Sequence, residues 1–365
     1  METDVDNFYG GVDNLMAKSA YEKDLEQKQI LRLREITNEL PVYVRTYFRS
    51  IAETTQPRTR IGYAYDIKYF FEYLKEANPA LKNTDFKDIS CDDLNRLTAA
   101  DFEDYLDYIT LYRKNGQNYT NEAASKKRKL CALRGFFRYL YQTDQISEDV
   151  SVKVRMPKVR EHNIIRMETD EVVNFLDNVE FGNKLTDHQQ AYHEKLKTRD
   201  LALLTLMLST GIRVSECVGL NITDIDFDND QIRVLRKGGN ESTVYFSDEA
   251  ETVLREYLEE RRKITPKKGS EDALFLSSQR SRISVRSVEY LVKKYARVTN
   301  PLKHITPHKL RSTYGTALYK ETGDIYLVAD VLGHKDVNTT RKHYADMDDE
   351  RKRAARNKVQ LREDE

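Results

Sequence analysis

Hydrophobic residues recur at intervals of three and four over much of the chain, which is the periodicity of amphipathic helices. Between Pro41 and about Asp144 this pattern predicts four successive helices, with Asn78-Pro79 ending the second and Thr98 beginning the third. The apolar positions of the four helices are, in chain order, Val42, Val44, Tyr47, Phe48 and Ile51; Tyr63, Ile67, Phe70, Phe71 and Leu74; Phe102, Tyr105, Leu106, Tyr108 and Ile109; and Leu130, Leu133, Phe136, Phe137 and Leu140. The region therefore predicts a small helical domain.

The second half of the chain mixes helices with short β-prone runs. Helices are predicted over 169–180 and 200–208, and the second of these is buried because it is nearly continuous in Leu, Ala and Met. Turn signals separate three predicted strands, at 222–227, 231–236 and 242–246. Further helices are predicted at about 248–263, 284–299, 307–320 and 324–332. The predicted fold class is mainly α with a small antiparallel β-sheet, that is, α+β.

Two of these helix starts carry specific expectations. Thr169 is expected to begin its helix with an imperfect capping box, because Val172 stands where Glu or Gln would be. Thr306 is expected to cap the next-to-last helix through its hydroxyl group, with Pro307 at the first helical position.

A length of 365 residues predicts two domains plus extensions. We assign residues 1–35 to an N-terminal helical extension and residues 36–146 to the helical domain. Residues 147–166 lack helical periodicity and are assigned to a linker. The mixed domain is predicted to span residues 167–345, and residues 346–365 are predicted to form a charged helical tail.

Charge is balanced overall, with 60 basic and 60 acidic residues, but it is unevenly placed. Residues 113–138 contain eight basic residues against Glu122 alone. A basic helix start with exposed backbone N–H groups suits a DNA phosphate backbone, although such a run taken alone is more often a solvated face. The residues predicted to contact DNA are Lys126, Lys127, Arg128, Lys129 and Arg134.

The cysteines and the apolar runs bear on the compartment. Cys91, Cys131 and Cys217 share no metal-binding or disulfide spacing and are predicted to be reduced thiols. The N-terminus is acidic without an apolar signal core, and no apolar run approaches the length of a membrane span. These features predict a cytoplasmic protein with no membrane partner, and the sequence shows no obvious acidic cluster for a metal.

Chemically distinctive residues cluster near the C-terminal end. His308 and Arg311 are three residues apart, so the predicted helix places them on neighbouring turns of one face. His334 follows Gly333, which ends the last predicted helix, and Tyr344 lies ten residues after His334. Two imidazoles and a guanidinium can hold a phosphate, and a tyrosine hydroxyl can attack one.

Two more cations lie upstream. Arg213 follows a glycine break after the buried helix, with Glu216 placed to support it, and Lys237 lies at the tip of a predicted hairpin. Two guanidiniums can bind the non-bridging oxygens of a phosphodiester in bidentate fashion and stabilise its transition state. Each residue taken singly is more often structural, so the prediction depends on the ordered set and its neighbours.

The motifs around these residues resemble those of the tyrosine recombinases, or phage-type integrases. The matching segments are T-G-I-R-V-S-E, K-G-G before a strand, H-K-L-R, and L-G-H followed by T-T and a tyrosine. The resemblance extends from about Arg166 to Tyr344, with weaker similarity before it. It implies that residues 36–146 bind DNA. It also implies a catalytic set of Arg213, Lys237, His308, Arg311, His334 and Tyr344.

The resemblance implies a site-specific DNA recombinase that needs no metal, ATP or other cofactor. Tyr344 would attack DNA to form a covalent 3′-phosphotyrosine, Lys237 would protonate the departing 5′-oxygen, and His308 would accept the phenolic proton or help hold the phosphate. The partners would be double-stranded DNA with a specific recombination site, a homotetramer acting through a Holliday junction, and accessory or directionality proteins. The tail, residues 346–365, would pack into a neighbouring subunit.

The spacing from His334 to Tyr344 leaves the branch of the family open. Xer-type members are expected to have nine residues here, where this chain has His343, whereas many integrases of conjugative elements have ten. The implied role is chromosome dimer resolution or integration and excision of a mobile element. The competing functions are a type IB topoisomerase or telomere resolvase, and a DNA-binding regulator that does not cleave DNA.

Overall fold

The structure is a computed structural model, and it describes residues 20–114, 116–159, 165–236, 240–334 and 337. The chain divides into two compact units, Met1–His162 and Asn163–Glu365. None of the helices in the described residues is long and apolar enough to cross a membrane. The cysteines Cys91, Cys131 and Cys217 are free thiols.

The first unit is a helical bundle with one small hairpin. Its helices are α1 (Ala20–Asn38), α2 (Val42–Ser50), α3 (Pro57–Ala77), α4 (Cys91–Asn95), α5 (Ala99–Tyr108) and α6 (Ala123–Gln142). Strands β1 (Leu111–Lys114) and β2 (Gln117–Thr120) form an antiparallel pair between α5 and α6. The four helices predicted for this region correspond to α2, α3, α5 and α6, whereas α4 and the hairpin were not predicted.

An aromatic core joins α3, α5 and α6. Phe70, Phe102 and Phe137 are fully buried, and the ring centroid of Phe102 lies 5.1 Å from that of Phe70 and 5.0 Å from that of Phe137. Such ring pairs contribute roughly 0.5–1.5 kcal/mol each beyond their burial. Helix α1 contributes Leu33 and Ile36 to the same core, so it packs on the bundle.

The hairpin was not predicted because its strands do not alternate apolar and polar residues, and β2 is exposed along its whole length. Tyr112 and Tyr119 face each other across the strand pair with ring centroids 5.4 Å apart, and Tyr108 extends the stack at 5.9 Å. Gly116, with a φ of +77°, supplies the left-handed turn residue. Turn chemistry and a tyrosine stack therefore hold this hairpin, rather than core packing.

The second unit is built around one buried helix. Its helices are α7 (Thr169–Phe181), α8 (Asp187–His193), α9 (Lys197–Thr210), α10 (Val214–Gly219), α11 (Asp248–Arg262), α12 (Val285–Thr299), α13 (Pro307–Thr322) and α14 (Ile325–Leu332). Helix α9 packs against α7, α11 and α13, and Leu203, Leu204 and Leu206 on it are fully buried. The predicted buried helix is thereby confirmed, whereas the short helices α8 and α10 were not predicted.

The predicted antiparallel sheet is also present. Strands β3 (Ile225–Asp226), β4 (Gln231–Leu235) and β5 (Glu241–Tyr245) lie in the order β3-β4-β5. Ile232 on β4 lies opposite Val244 on β5, and both face the core. The first strand is shorter than predicted, because Ile222–Asp224 forms a 3₁₀ turn. With this sheet beside the helices, the α+β fold class is confirmed.

Two helix starts differ from the prediction. Helix α7 is capped at Glu168 rather than Thr169, and the Glu168 backbone N–H donates to Glu171 Oε2 at 2.7 Å, which completes the capping box one residue earlier. Helix α13 has Thr306 at the N-cap and proline next, as predicted. Within the described residues the Thr306 hydroxyl makes no capping bond, because the Lys309 N–H donates to the Thr306 carbonyl oxygen at 2.8 Å.

Candidate active site

The predicted catalytic residues gather where two helices end. Gly211 is the C-cap residue of α9 and Gly333 that of α14, and both glycines are left-handed, with φ of +64° and +60°. A left-handed residue stops the helix and leaves some of its last carbonyl groups without helical partners. At Gly211 a Cβ atom would lie 2.4 Å from Tyr314 Cδ1, so α13 packs closely against this end. The two ends thus present carbonyl oxygens to side chains.

Arg311, on α13, joins the two helix ends. Only 5% of this residue is exposed, and its Nη1 donates to the Gly211 carbonyl oxygen at 2.6 Å. Its Nη2 donates to the carbonyl oxygen of Leu332, the last residue of α14. A cation is favourable here because helix C-termini carry partial negative charge. A single side chain therefore fastens α13 to both helix ends.

Arg213 is the N-cap residue of α10, two residues after Gly211. Its backbone N–H and its Nη1 donate to the two carboxylate oxygens of Glu216, at 2.8 and 2.7 Å. Its Nη2 donates to the Gly333 carbonyl oxygen at 3.1 Å. The predicted support from Glu216 is confirmed. Arg311 and Arg213 thus bond the consecutive carbonyl groups of Leu332 and Gly333.

The two predicted histidines lie on the same elements. His308 is exposed in the first turn of α13, one turn before Arg311. His334 directly follows Gly333 and is half-buried, and its backbone N–H donates to the Ala329 carbonyl oxygen at 2.8 Å. The structure thus brings together four of the six residues predicted to be catalytic.

The other two, Lys237 and Tyr344, lie outside the described residues. Strands β4 and β5 pair on either side of residues 237–239, and the Arg236 backbone N–H donates to the Asn240 carbonyl oxygen at 2.8 Å. The hairpin predicted to carry Lys237 is therefore present, while the catalytic roles of both residues stay predictions.

A third arginine at this site was not predicted. Arg236 follows β4, and its Nη2 donates to the Val331 carbonyl oxygen at 2.9 Å. The residue is half-buried against Gly333, where a Cβ atom would lie 1.4 Å from its Nη1. The sequence signal was weak, because an arginine after a strand and beside a turn resembles an ordinary exposed residue.

The site has an excess of positive charge. Burial lowers the pKa of Arg236, the Glu216 carboxylate raises it, and the neighbouring Arg213 cation lowers it again. Among the described residues, the three guanidiniums outnumber the carboxylates that act on Arg236, those of Glu216 and Asp330, an arrangement that suits an anionic ligand such as a phosphate. Within the part of the chain that the structure describes, no group of three or more His, Cys, Asp or Glu side chains could hold a metal ion.

Replacing Glu216 by Gln is expected to destabilise the protein by roughly 1–3 kcal/mol, because an amide N–H₂ would face one of the two Arg213 donors at a position that is 7% exposed. The DNA cleavage predicted from the sequence should also slow, by about 10–100-fold, as Arg213 loses its fixed orientation. Urea unfolding and the rate of protein–DNA adduct formation measure the two effects.

Glu259→Gln is the matched control, since Glu259 pairs with Arg262 on the surface of α11. Its expected cost is below about 1 kcal/mol. Equal unfolding free energies for the Glu216 variant and the wild type would contradict the supporting role of Glu216.

Asp66, buried on α3, holds two of the residues predicted to contact DNA. Arg128 donates to both of its oxygens, with Nη2 at 2.8 Å, and 50% of the Arg128 side chain is still exposed. Lys129 Nζ lies 3.2 Å from the same carboxylate and 4.8 Å from the Tyr69 ring centroid, and Lys129 is buried. Lys129 therefore faces the interior of the bundle in this structure, whereas Arg128 is both anchored and accessible.

The other three predicted DNA contacts also differ in their surroundings. Arg134 donates to the carbonyl oxygens of Ser151 and Val154, at 3.1 and 2.5 Å, which fastens the segment after the bundle to α6. Lys126 is half-buried, and its Nζ donates to a threonine hydroxyl at 3.0 Å. Lys127 is exposed. The DNA-binding role of all five residues stays a prediction, and Lys127 and Arg128 are the most accessible of them.

Known proteins resemble this chain along most of its length. The phage integrase family profile matches residues 166–351. Tyrosine recombinase XerC of Caldanaerobacter subterraneus subsp. tengcongensis is 33% identical over 326 residues, which are 86% of this chain and 85% of the relative. Tyrosine recombinase XerS of Streptococcus uberis is 31% identical over 353 residues, which are 88% of this chain and 97% of the relative.

Among solved structures, the XerH recombinase bound to a palindromic difH substrate has the same fold, with a TM-score of 0.63 at 20% identity over 91% of this chain and 90% of that chain. The Tn1549 transposon integrase in complex with circular intermediate DNA has a TM-score of 0.61 at 17% identity, over 87% of this chain and 100% of that chain. On the strength of the family profile and the two relatives above 30% identity, the chain belongs to the phage integrase family of tyrosine recombinases, the site-specific DNA recombinases.

Proposed function

We propose that the protein cuts and rejoins DNA at a specific recombination site through a covalent 3′-phosphotyrosine. The observation that supports this most strongly is the pair of arginines fixed on the consecutive carbonyl oxygens of Leu332 and Gly333. Guanidiniums fixed in advance stabilise developing charge without reorganising during the reaction. The residues proposed to act are Tyr344 as nucleophile, Arg213, His308, Arg311 and His334 at the phosphate, and Lys237 as general acid.

The geometry of Arg213 suits it to phosphate binding. A guanidinium has five N–H donors in a planar fork. Among the described residues, one side-chain donor goes to Glu216 and one to Gly333, so further N–H groups remain for the non-bridging oxygens of a phosphate. Charge-assisted bonds of this kind are roughly twice as strong as neutral ones. Arg213 is therefore held by the protein and still able to bind DNA.

The proposed cleavage step balances its atoms and protons. The phenolic oxygen of Tyr344 forms a bond to phosphorus and gives its proton to His308. The bond from phosphorus to the 5′-oxygen breaks, and Lys237 gives that oxygen a proton. The products are a 3′-phosphotyrosine and a free 5′-hydroxyl. Attack by a 5′-hydroxyl of the other duplex reverses the step, so no ATP is consumed.

Duplex DNA is the proposed partner, since the solved Tn1549 integrase is in complex with circular intermediate DNA and XerH is bound to a palindromic difH substrate. In the first unit the exposed side chains of Lys127 and Arg128 supply positive charge at the start of α6. Directly before α6 in the chain, the hairpin presents Arg113 and Asn118 as exposed partners across the strand pair. Guanidinium and amide groups read base edges in the major groove, which admits a two-stranded ribbon.

Replacing Lys127 by Gln is expected to weaken DNA binding about equally on all sequences and to lower the slope of log K against log salt by about 1, because one phosphate contact is lost. Fluorescence anisotropy at several salt concentrations measures both quantities. Lys82→Gln, which removes another exposed lysine of the same unit, is the control and should keep the wild-type slope. An unchanged slope for the Lys127 variant would show that Lys127 makes no contact with a DNA phosphate.

We further propose that four protomers act on two duplexes through a Holliday junction in the cytoplasm, for chromosome dimer resolution or for movement of a mobile element, with accessory or directionality proteins. The tail, residues 346–365, lies outside the described residues and is proposed to pack into a neighbouring subunit. Its deletion should impair pairing of two sites more than binding of one, measured by gel shift. An equal loss of site pairing and of single-site binding would count against packing of the tail into a neighbouring subunit.

The experiment that tests the function is covalent trapping on a nicked duplex, with the binding sequence first selected from genomic DNA. An SDS-stable protein–DNA adduct is expected, because the nick lets the released fragment diffuse away before rejoining. Relaxation of supercoiled DNA that lacks a recombination site would instead indicate a topoisomerase. Tight specific binding without an adduct would indicate a regulator.

A further inference from the structure

The last turn of α14 is held by three arginines. Backbone N–H groups of Gly333 and His334 donate to the carbonyl oxygens of Asp330 and Ala329, each at 2.8 Å. The next three carbonyl oxygens accept from side chains instead. The pairs are Val331 with Arg236, Leu332 with Arg311, and Gly333 with Arg213. A helix C-terminus leaves its last carbonyl groups without helical partners, and here each of three such groups accepts a hydrogen bond from a different guanidinium.

Arg236 is the one of the three that the proposed function does not use. Its side chain makes one hydrogen bond, to Val331, and its Nε and Nη1 are buried without a partner in the described part of the chain. Leaving buried donors unsatisfied is unfavourable, and more so for a charged group. Apolar replacements of buried charges are often neutral or stabilising. A contribution to folding alone therefore does not explain an arginine here.

The backbone around Arg236 is well fixed. The Arg236 backbone N–H donates to the Asn240 carbonyl oxygen across the hairpin. The preceding residue, Leu235, pairs with Glu241 on β5. At the other end of the side chain, a Cβ atom on Gly333 would lie 1.4 Å from Nη1 and 2.4 Å from Cζ, so the guanidinium lies against the bare Cα of this glycine. The Arg236 side chain therefore connects the end of β4 to the end of α14.

We propose that Arg236 is a positioning residue for strand cleavage, which holds the last turn of α14 against β4 so that Gly333 and His334 stay in register with Arg213. This inference rests on the proposed function of Arg213 and His334 at the scissile phosphate.

Arg236→Met tests this proposal, because methionine fills similar space without charge or donors. The thermal midpoint is expected to equal or exceed that of the wild type, with DNA affinity within about threefold. The single-turnover rate of adduct formation on the nicked duplex is expected to fall about 100-fold, the loss that a misplacement of about 1 Å can cause. Arg233→Met, which replaces an exposed arginine on β4, is the control and should keep the wild-type rate.

A second readout separates positioning of the phosphate-binding groups from an effect on the leaving group. A duplex with sulfur in place of the scissile 5′-oxygen needs little protonation of the leaving group, because a thiol has a pKa of about 8.5. This substrate is expected to rescue Lys237→Ala but not Arg236→Met. Arg236→Lys keeps one donor for Val331 and should cleave at an intermediate rate.

Three results would overturn the inference: a wild-type rate for Arg236→Met, its rescue by the sulfur substrate, or a loss of thermal stability and DNA affinity in step with the rate. If Arg236→Met does not fold, Arg236→Lys decides by the same criteria, and failure of both to fold would show a purely structural role. Absence of any adduct with the wild-type protein contradicts the proposed function instead.

Discussion

Replacing Tyr344 by Phe is expected to abolish the SDS-stable adduct between this recombinase and a nicked duplex, lowering its rate of formation by more than about a thousandfold. The substitution removes only the oxygen atom proposed to bond phosphorus and keeps the aromatic ring. DNA affinity should therefore stay within about threefold of the wild type, since binding and bond formation are separable. A time course on a denaturing gel measures the adduct, and anisotropy measures binding.

Tyr326 provides the matched control for this substitution. It lies on α14, the helix that ends at the site, and 71% of the residue is exposed. Tyr326→Phe removes the same atom from an uninvolved ring and should form the adduct at the wild-type rate. An adduct that persists in Tyr344→Phe would move the nucleophile to another residue. If only the Tyr326 variant lost the adduct, Tyr326 would be the nucleophile.

Replacing Arg213 by Lys is expected to slow adduct formation by about 10²–10³-fold, the usual effect of losing one transition-state donor, while DNA affinity changes by less than about threefold. Lysine keeps the positive charge. Its compact ammonium cannot bond both Glu216 and Gly333 and still present a planar fork to a phosphate. Single-turnover kinetics at saturating protein measure the rate, and urea unfolding checks the fold.

Arg213 is a sharper test than Arg311. Arg311 is buried and bonds the carbonyl oxygens of two helix ends, so its replacement would lower stability and catalysis together. Arg233→Lys, on the exposed side of β4, is the control for the chemistry of the substitution. A wild-type rate for Arg213→Lys would contradict its proposed role. A loss of affinity as large as the loss of rate would indicate ground-state binding instead.

Local signals were enough to predict the helices on or beside which four of the residues predicted to be catalytic lie. Helix α13 begins at Pro307 and α14 ends at Gly333, as predicted, because a proline or a left-handed glycine acts within one turn of its own position. The buried helix α9 was predictable because an unbroken apolar run must avoid water on every side. Errors arose where the signal was short or polar, as in the hairpin around Gly116 and the cap at Glu168.

The sequence by itself determined that this chain is a tyrosine recombinase, because the identity and order of its motifs are properties of the chain alone. Only the tertiary structure decided which side chains meet. Arg213 bonds a carbonyl group 120 residues away, and Arg236 bonds one 95 residues away. The same holds for Lys129, which the sequence predicts on a DNA surface and the structure buries beside Asp66. Bonds between distant segments have no periodicity in the sequence, and they depend on how helices α9, α13 and α14 pack.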